Sequence, residues 1–215
     1  MGTAIDGRGD VPDEPTTSRP LFGGALSANF PDRYVDVSDF RPVPDNQEVW
    51  TDAERDESVI VEILERVEDG PSDAIDGGAA VWFFNDLAEV NDASVSSGLS
   101  EIVSARTLQP SELPSVNGPF AAASLCVGRQ RVSKARDSDD ARNLVEVLVA
   151  NVRLPQVGTD LLVTMNRPLV VAERSSAGAV VTPGDGHGDG GDGGGWAVMR
   201  GVLRTLAVND WGLFG

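Results

Sequence analysis

Between residues 101 and 171 the chain carries four apolar, strand-like runs: EIVSARTL (101–108), AAASLCVGRQRVS (121–133), NLVEVLVANVRL (143–154) and TDLLVTMNRPLVV (159–171). Short polar or proline-containing breaks separate them. Parallel neighbours need a crossover of a dozen or more residues, usually a helix, so these runs are expected to pair antiparallel. Upstream, QEVW and SVIVEILERV flank the polar TDAERDE and read as a further antiparallel hairpin. GALSANFP places Leu26, Ala28 and Phe30 on one side, as a half-buried strand does. Two segments switch to the helical period. In AAVWFFNDLAEVNDA the residues Ala80, Phe83, Phe84, Leu87 and Val90 form one stripe, and in WAVMRGVLRTLAV it is Trp196, Met199, Leu203 and Leu206. The expected fold class is α+β: a mostly antiparallel central β-sheet flanked by helices.

A chain of 215 residues can be served by one core. Residues 1–19, rich in Pro, Gly, Asp and Thr without apolar periodicity, are expected to be a disordered tail, with a single domain over 20–215. The stretch GDGHGDGGDGGG lies in an insertion at about 172–195 and reads as a flexible, solvated loop. Its Gly186, Gly188 and Gly191 spell GxGxxG, but no second parallel strand follows to complete a βαβ unit. Asp185, Asp189 and Asp192 would also repel a pyrophosphate. Asp185, His187 and Asp189 have the spacing of a calcium loop, yet Trp196 stands where the bidentate Glu belongs. Neither a metal nor a cofactor is expected.

Thirty-four acidic against seventeen basic residues leave a net charge of −17. Such a surface disfavours nucleic acid and anionic membranes and suits a basic protein partner; like-charge repulsion favours a monomer. The longest apolar runs fall short of a membrane span. The opening MGTAIDGRGDVPDEPTTSRP has no apolar signal core, so nucleus and cytoplasm are the expected location. The lone His187 and the lone Cys126 leave Ser-His-Asp and Cys-His chemistry without partners. CxxC, HExxH and GxxxxGK[ST] do not occur. Cys126, in the apolar ASLCVG, reads as a buried, inert thiol. A hydrolase working through a carboxylate pair stays open, since acids are plentiful, but nothing singles out a pair, and a binding protein, not an enzyme, is expected.

The charge is concentrated. Residues 36–65 hold ten acids and two bases, a net −8. Within DVSDFRPVPDNQEVW, Pro42 and Pro44 fix their own φ and push Arg41 and Val43 into extended conformations, and Asp45-Asn46 then signals a turn. A loop stiffened in this way loses little entropy when a partner docks. Glu62 and Glu65 pose a separate question. Residues three apart in a regular strand face opposite ways, so either a bulge realigns them or only one joins a common surface.

PLFGGALSA followed by DVSDFRPVPDNQEV resembles the Ran guanine nucleotide release factor family, the Mog-type Ran-binding proteins. SVIVEILE, NDLAEVNDA, VRLPQVGTDLLVTMNRPL and the terminal VNDWGLF follow in the family's order. The acidic N-terminal stretch, VWFFND without a histidine, and the insertion depart from its pattern. The resemblance implies a Mog/PsbP-like fold, binding to the small GTPase Ran, promotion of guanine nucleotide release and a role in nuclear protein import. It implies an acidic contact surface as well, at Asp36, Asp45, Gln47 and Glu48 with Glu62 and Glu65 in the next strand. Asp39, Arg41 and Asn46 join these as neighbours in the same loop. A PsbP-like structural or photosynthetic accessory protein that does not bind Ran is the alternative.

Overall fold

The computed structural model describes residues 14–68, 77–116, 122–133, 142–172 and 194–215. A small sheet sets β1 (Thr16–Leu21) and the two-residue β10 (Ala207–Val208) on either side of β2 (Leu26–Pro31). A seven-stranded sheet runs in the order β3 (Val35–Asp36), β4 (Gln47–Asp52), β5 (Glu57–Glu65), β9 (Thr159–Val170), β8 (Asn143–Leu154), β7 (Ala122–Val132) and β6 (Ser100–Thr107). Every described pairing is antiparallel, as the short breaks require. The helices are α1 (Gly78–Val90) and α2 (Gly194–Thr205).

Strands buried on both faces read as continuous apolar runs. Both faces of β8 and β9 are covered, and alternate residues serve separate cores. Leu148, Ala150 and Val152 of β8 join Leu161, Val163 and Met165 of β9 under α2 and the small sheet. Val147, Val149 and Leu162 face the other way, against Phe83 and Phe84 of α1. The Phe84 ring lies so close to β7 that a side chain at Gly128 would meet it at 2.4 Å. At the start of α1 the Ala80 N–H donates to Ser124 Oγ at 3.0 Å, and just past its end Asn91 Nδ2 donates to Gln130 Oε1 at 3.0 Å. Both acceptors belong to β7. α1 is thus tied across the outer face of β6, β7 and β8.

The structure departs from the sequence expectation in three places. The first strand begins at Thr16, inside the stretch expected to be tail, because β1 pairs with β2 along its whole length. The last helix stops at Thr205, and Ala207–Val208 turns extended to pair with Ser27 and Leu26. The small sheet is therefore a second layer, and α2 is sandwiched between two sheets. Val90 is 74% exposed in the last turn of α1, and Ala88, wholly buried, completes the inward stripe. Residues 1–13 and most of the insertion, 173–193 with His187, lie outside the described residues.

Candidate functional site

The segment from Asp36 to Glu48 joins the short edge strand β3 to β4. Asp36 Oδ1 accepts the Ser38 N–H at 2.8 Å and starts a single 3-10 turn, Val37–Asp39. The Phe40 and Arg41 N–H groups both donate to the Val37 carbonyl, at 3.0 and 3.1 Å. The chain then runs through the two prolines to a turn closed by Gln47 N–H on the Pro44 carbonyl at 2.9 Å, with Asp45 and Asn46 exposed at its tip. Asn46 extends the ladder to β5, accepting from Ile63 N–H at 2.9 Å and donating Nδ2 to the Ile63 carbonyl at 3.3 Å.

Strand alternation then divides the expected site residues between two faces. Residues directly opposite in a ladder share a face. Asp36 is opposite Trp50 and Glu48 opposite Val61, so both point to the side of the larger core. Gln47 is opposite Glu62, and both point outward, where Gln47 Nε2 donates to Glu62 Oε1 at 2.6 Å. The β5–β9 register contains no bulge, so Glu65 lies on the opposite face from Glu62, exposed at the strand's end. Those two glutamates do not share one surface.

The carboxylates also differ in what they are free to do. Glu48 Oε1 accepts the Phe22 N–H at 2.6 Å. Burial holds the Glu48 carboxyl above the ordinary carboxylate range, this hydrogen bond pulls it back in part, and nearby Asp36 pushes it up again. Glu62 is likewise raised by burial and partly restored by Gln47. Asp52 and Glu57 are buried and both bind Arg33, at 2.7 and 2.8 Å, with Tyr34 Oη donating to Glu57 at 3.0 Å. These two acids stabilise the β4–β5 hairpin and are withheld from any partner. Asp39 and Asp45 are exposed, and so is Arg41.

What the sequence did not reveal is a groove of about 390 Å³ on the outer face of this hairpin. Its floor is made of two cross-strand pairs, Val49 with Ile60 and Thr51 with Ser58. Val37, Phe40 and Arg41 form a wall above them. Phe40 is 76% exposed. A phenylalanine between an aspartate and an arginine in a proline-rich loop carries no periodicity, so nothing in the sequence distinguished it from a core residue. Among the described residues no group of three or more His, Cys, Asp or Glu is arranged to hold a metal ion. Cys126 is buried and its thiol is pushed up to about 12 by desolvation.

The described residues include no helix long and apolar enough to cross a membrane. Residues 19–168 match the family described as Mog1, Ran-interacting Mog1 protein. The chain is 37% identical over 203 residues to the Ran guanine nucleotide release factor of Danio rerio, spanning 92% of this chain and all of that protein. It is 31% identical over 199 residues to the probable Ran guanine nucleotide release factor of Dictyostelium discoideum, 91% of this chain and 95% of that one. Among solved structures, the Ran-binding protein Mog1p of Saccharomyces cerevisiae superposes with a TM-score of 0.63 over 94% of this chain and all of that one. Identity there is 21%, so that likeness speaks to the fold alone. With the family match covering most of its length, this chain belongs to the Ran-interacting Mog1 family.

Proposed function

We propose that the chain binds the small GTPase Ran and promotes release of its guanine nucleotide in support of nuclear protein import, acting as a monomeric binding protein in nucleus and cytoplasm. The observation that carries this reading is the likeness, along nearly the whole chain, to proteins named Ran guanine nucleotide release factor. That likeness also favours the release factor over a photosynthetic accessory protein.

A GTPase holds its nucleotide through a phosphate-cradling loop, a lysine and Mg²⁺. A partner that binds the nucleotide-free form better than the loaded form shifts the equilibrium toward release. Carboxylates on a stiff loop can pair with basic groups that otherwise serve the phosphates. Asp39, Asp45 and Glu62 are the acids of this segment best placed to do so: the first two are exposed, and the third lies on the outer face beside the groove. Asp36, Asn46, Gln47 and Arg41 support them at the same edge. Glu48 acts through the Phe22 turn it holds in place, and Glu65 contributes on the sheet's other side.

The test is a release assay. Ran loaded with a fluorescent guanine nucleotide is mixed with the purified protein and chased with unlabelled nucleotide at two salt concentrations. Accelerated release that weakens with salt is the expected result. Unchanged release, with no complex on a sizing column, would overturn the reading.

A further inference from the structure

The outer face of the β4–β5 hairpin has an unusual composition for a protein exterior. Val49 and Ile60 form an apolar pair on the groove floor, and one strand repeat further along, roughly 7 Å away, the next pair on the same face is Gln47 with Glu62. α1 is held over β6, β7 and β8, and the helical element that packs on β4 is the short turn Val37–Asp39 beside Phe40. Phe40 stands at the rim with three-quarters of its surface in water. It sits on a segment with little freedom, the two N–H groups at Phe40 and Arg41 both being fixed to the Val37 carbonyl. A large exposed aromatic on a stiff support, beside an apolar recess and a half-buried carboxylate, is the composition of an interface centre.

We propose that this groove is the apolar centre of the Ran contact: it takes an aliphatic or aromatic side chain from a Ran segment that carries a lysine or arginine beside it. The apolar group is received between Phe40 and the Val49–Ile60 floor. The basic neighbour reaches Glu62, which Gln47 holds in position at 2.6 Å. Charge complementarity selects this occupant over a second copy of the chain. Asp39 and Asp45 are exposed on the segment that carries Phe40, on a molecule of net charge −17, which repels its own copy and attracts a cationic segment. The inference rests on Ran being the partner, and it adds which surface carries affinity. Carboxylates alone would set on-rate and salt dependence, whereas a buried anchor sets the off-rate.

The experiment measures Ran binding by surface plasmon resonance for the wild-type protein, Phe40→Ala, Phe40→Trp and a control, Val90→Ala. Val90 is exposed on α1, away from the groove. Phe40→Ala is expected to weaken binding about 10-fold or more, mainly through faster dissociation, with Phe40→Trp and Val90→Ala close to wild type. Because Phe40 is exposed, its melting temperature should stay near that of wild type. In parallel, methyl signals of Val49 and Ile60 in the wild-type protein are followed on adding Ran, a readout independent of any variant's folding. They are expected to shift. Tight wild-type binding with unshifted methyls and undiminished affinity in Phe40→Ala would overturn the groove and leave Ran binding intact. Failure of the wild-type protein to bind Ran would overturn the partner instead. Self-association of the wild-type chain abolished by Phe40→Ala would assign the groove to a second copy, against the proposal.

Discussion

The Glu48 carboxylate accepts the backbone N–H of Phe22 at 2.6 Å, linking β4 to a turn twenty-six residues earlier in the chain. Phe22 has φ of 50°, followed by Gly23 at 66° and Gly24 at 94°. A non-glycine residue in that left-handed region is strained and persists only where its surroundings hold it. On its other side, the turn is held by Asn209, whose Nδ2 donates to the Gly24 carbonyl at 3.1 Å and whose N–H donates to the Ala25 carbonyl at 2.8 Å. Glu48→Ala removes the acceptor from a partly buried N–H and is expected to cost about 1–3 kcal/mol, measured by chemical denaturation. Glu48→Gln keeps an acceptor and should cost less. Equal stability in wild type and Glu48→Ala would show that the contact does not hold the turn.

Asp39 and Asp45 are exposed, so charge reversal there should leave folding alone. Asp39→Lys with Asp45→Lys is expected to change stability by less than about 0.5 kcal/mol. The same variant should bind Ran more slowly, with a flatter salt dependence, because rim charges act mainly on association. Wild-type association kinetics in the double variant would remove both residues from the contact.

Glu62 titrates with the opposite sign from a salt-bridged acid. Burial raises its folded pKa above the ordinary 4.5, so between those two values the folded state binds more protons than the unfolded one. Stability at this site is greatest at or below the ordinary value and falls as pH rises through the raised one. Glu62→Gln keeps an acceptor for Gln47 without the buried charge. Its melting temperature should therefore exceed that of wild type at pH 7, with the gap closing below about pH 4.5, while Ran binding weakens. A gap that does not change with pH would mean that charge burial is not its cause.

Asp160, wholly buried, accepts from Arg153 Nε at 3.0 Å, from Asn151 Nδ2 at 3.2 Å and from the Val67 N–H at 3.0 Å. The pair ties the segment after β5 to the β8–β9 hairpin. Asp160→Ala removes the buried carboxylate that Arg153, Asn151 and the Val67 N–H all donate to and is expected to cost about 3–5 kcal/mol in denaturant. Arg153→Met with Asp160→Leu should cost less than that single change, since both charges of the pair are removed together.

Cys126, buried against α1 with its thiol pushed up to about 12, should not react with thiol reagents at pH 8 in the native protein and should become fully reactive in denaturant. Native-state labelling on the timescale of an exposed thiol would show that α1 opens readily.

The strands from β4 to β9, α1 and most of α2 were legible in the sequence because each carries its own period. Length and apolar pattern alone place β8 and β9 within a residue of their observed ends. The small sheet was only partly legible. Thr16, Thr17 and Ser18 are polar and exposed, and their strand exists because β2 offers a ladder edge; Ala207–Val208 is too short to carry a pattern. The position of Glu62 relative to Glu65 was posed correctly by alternation, and the unbroken β5–β9 register answered it.

By itself the sequence determined an antiparallel α+β fold, a family resemblance and an acidic segment of low freedom between β3 and β4. Only the tertiary structure decided which of those acids face outward. Charge is a property of composition, but availability depends on what the chain brings beside each group. Asp52 and Glu57 meet Arg33, and Glu48 meets a backbone N–H from the turn that the chain's C-terminal residues clasp from the other side. Phe40, at the rim of its groove, is left in solvent. These contacts join residues far apart in the chain, and local periodicity, which reports only which neighbours share a face, does not encode them.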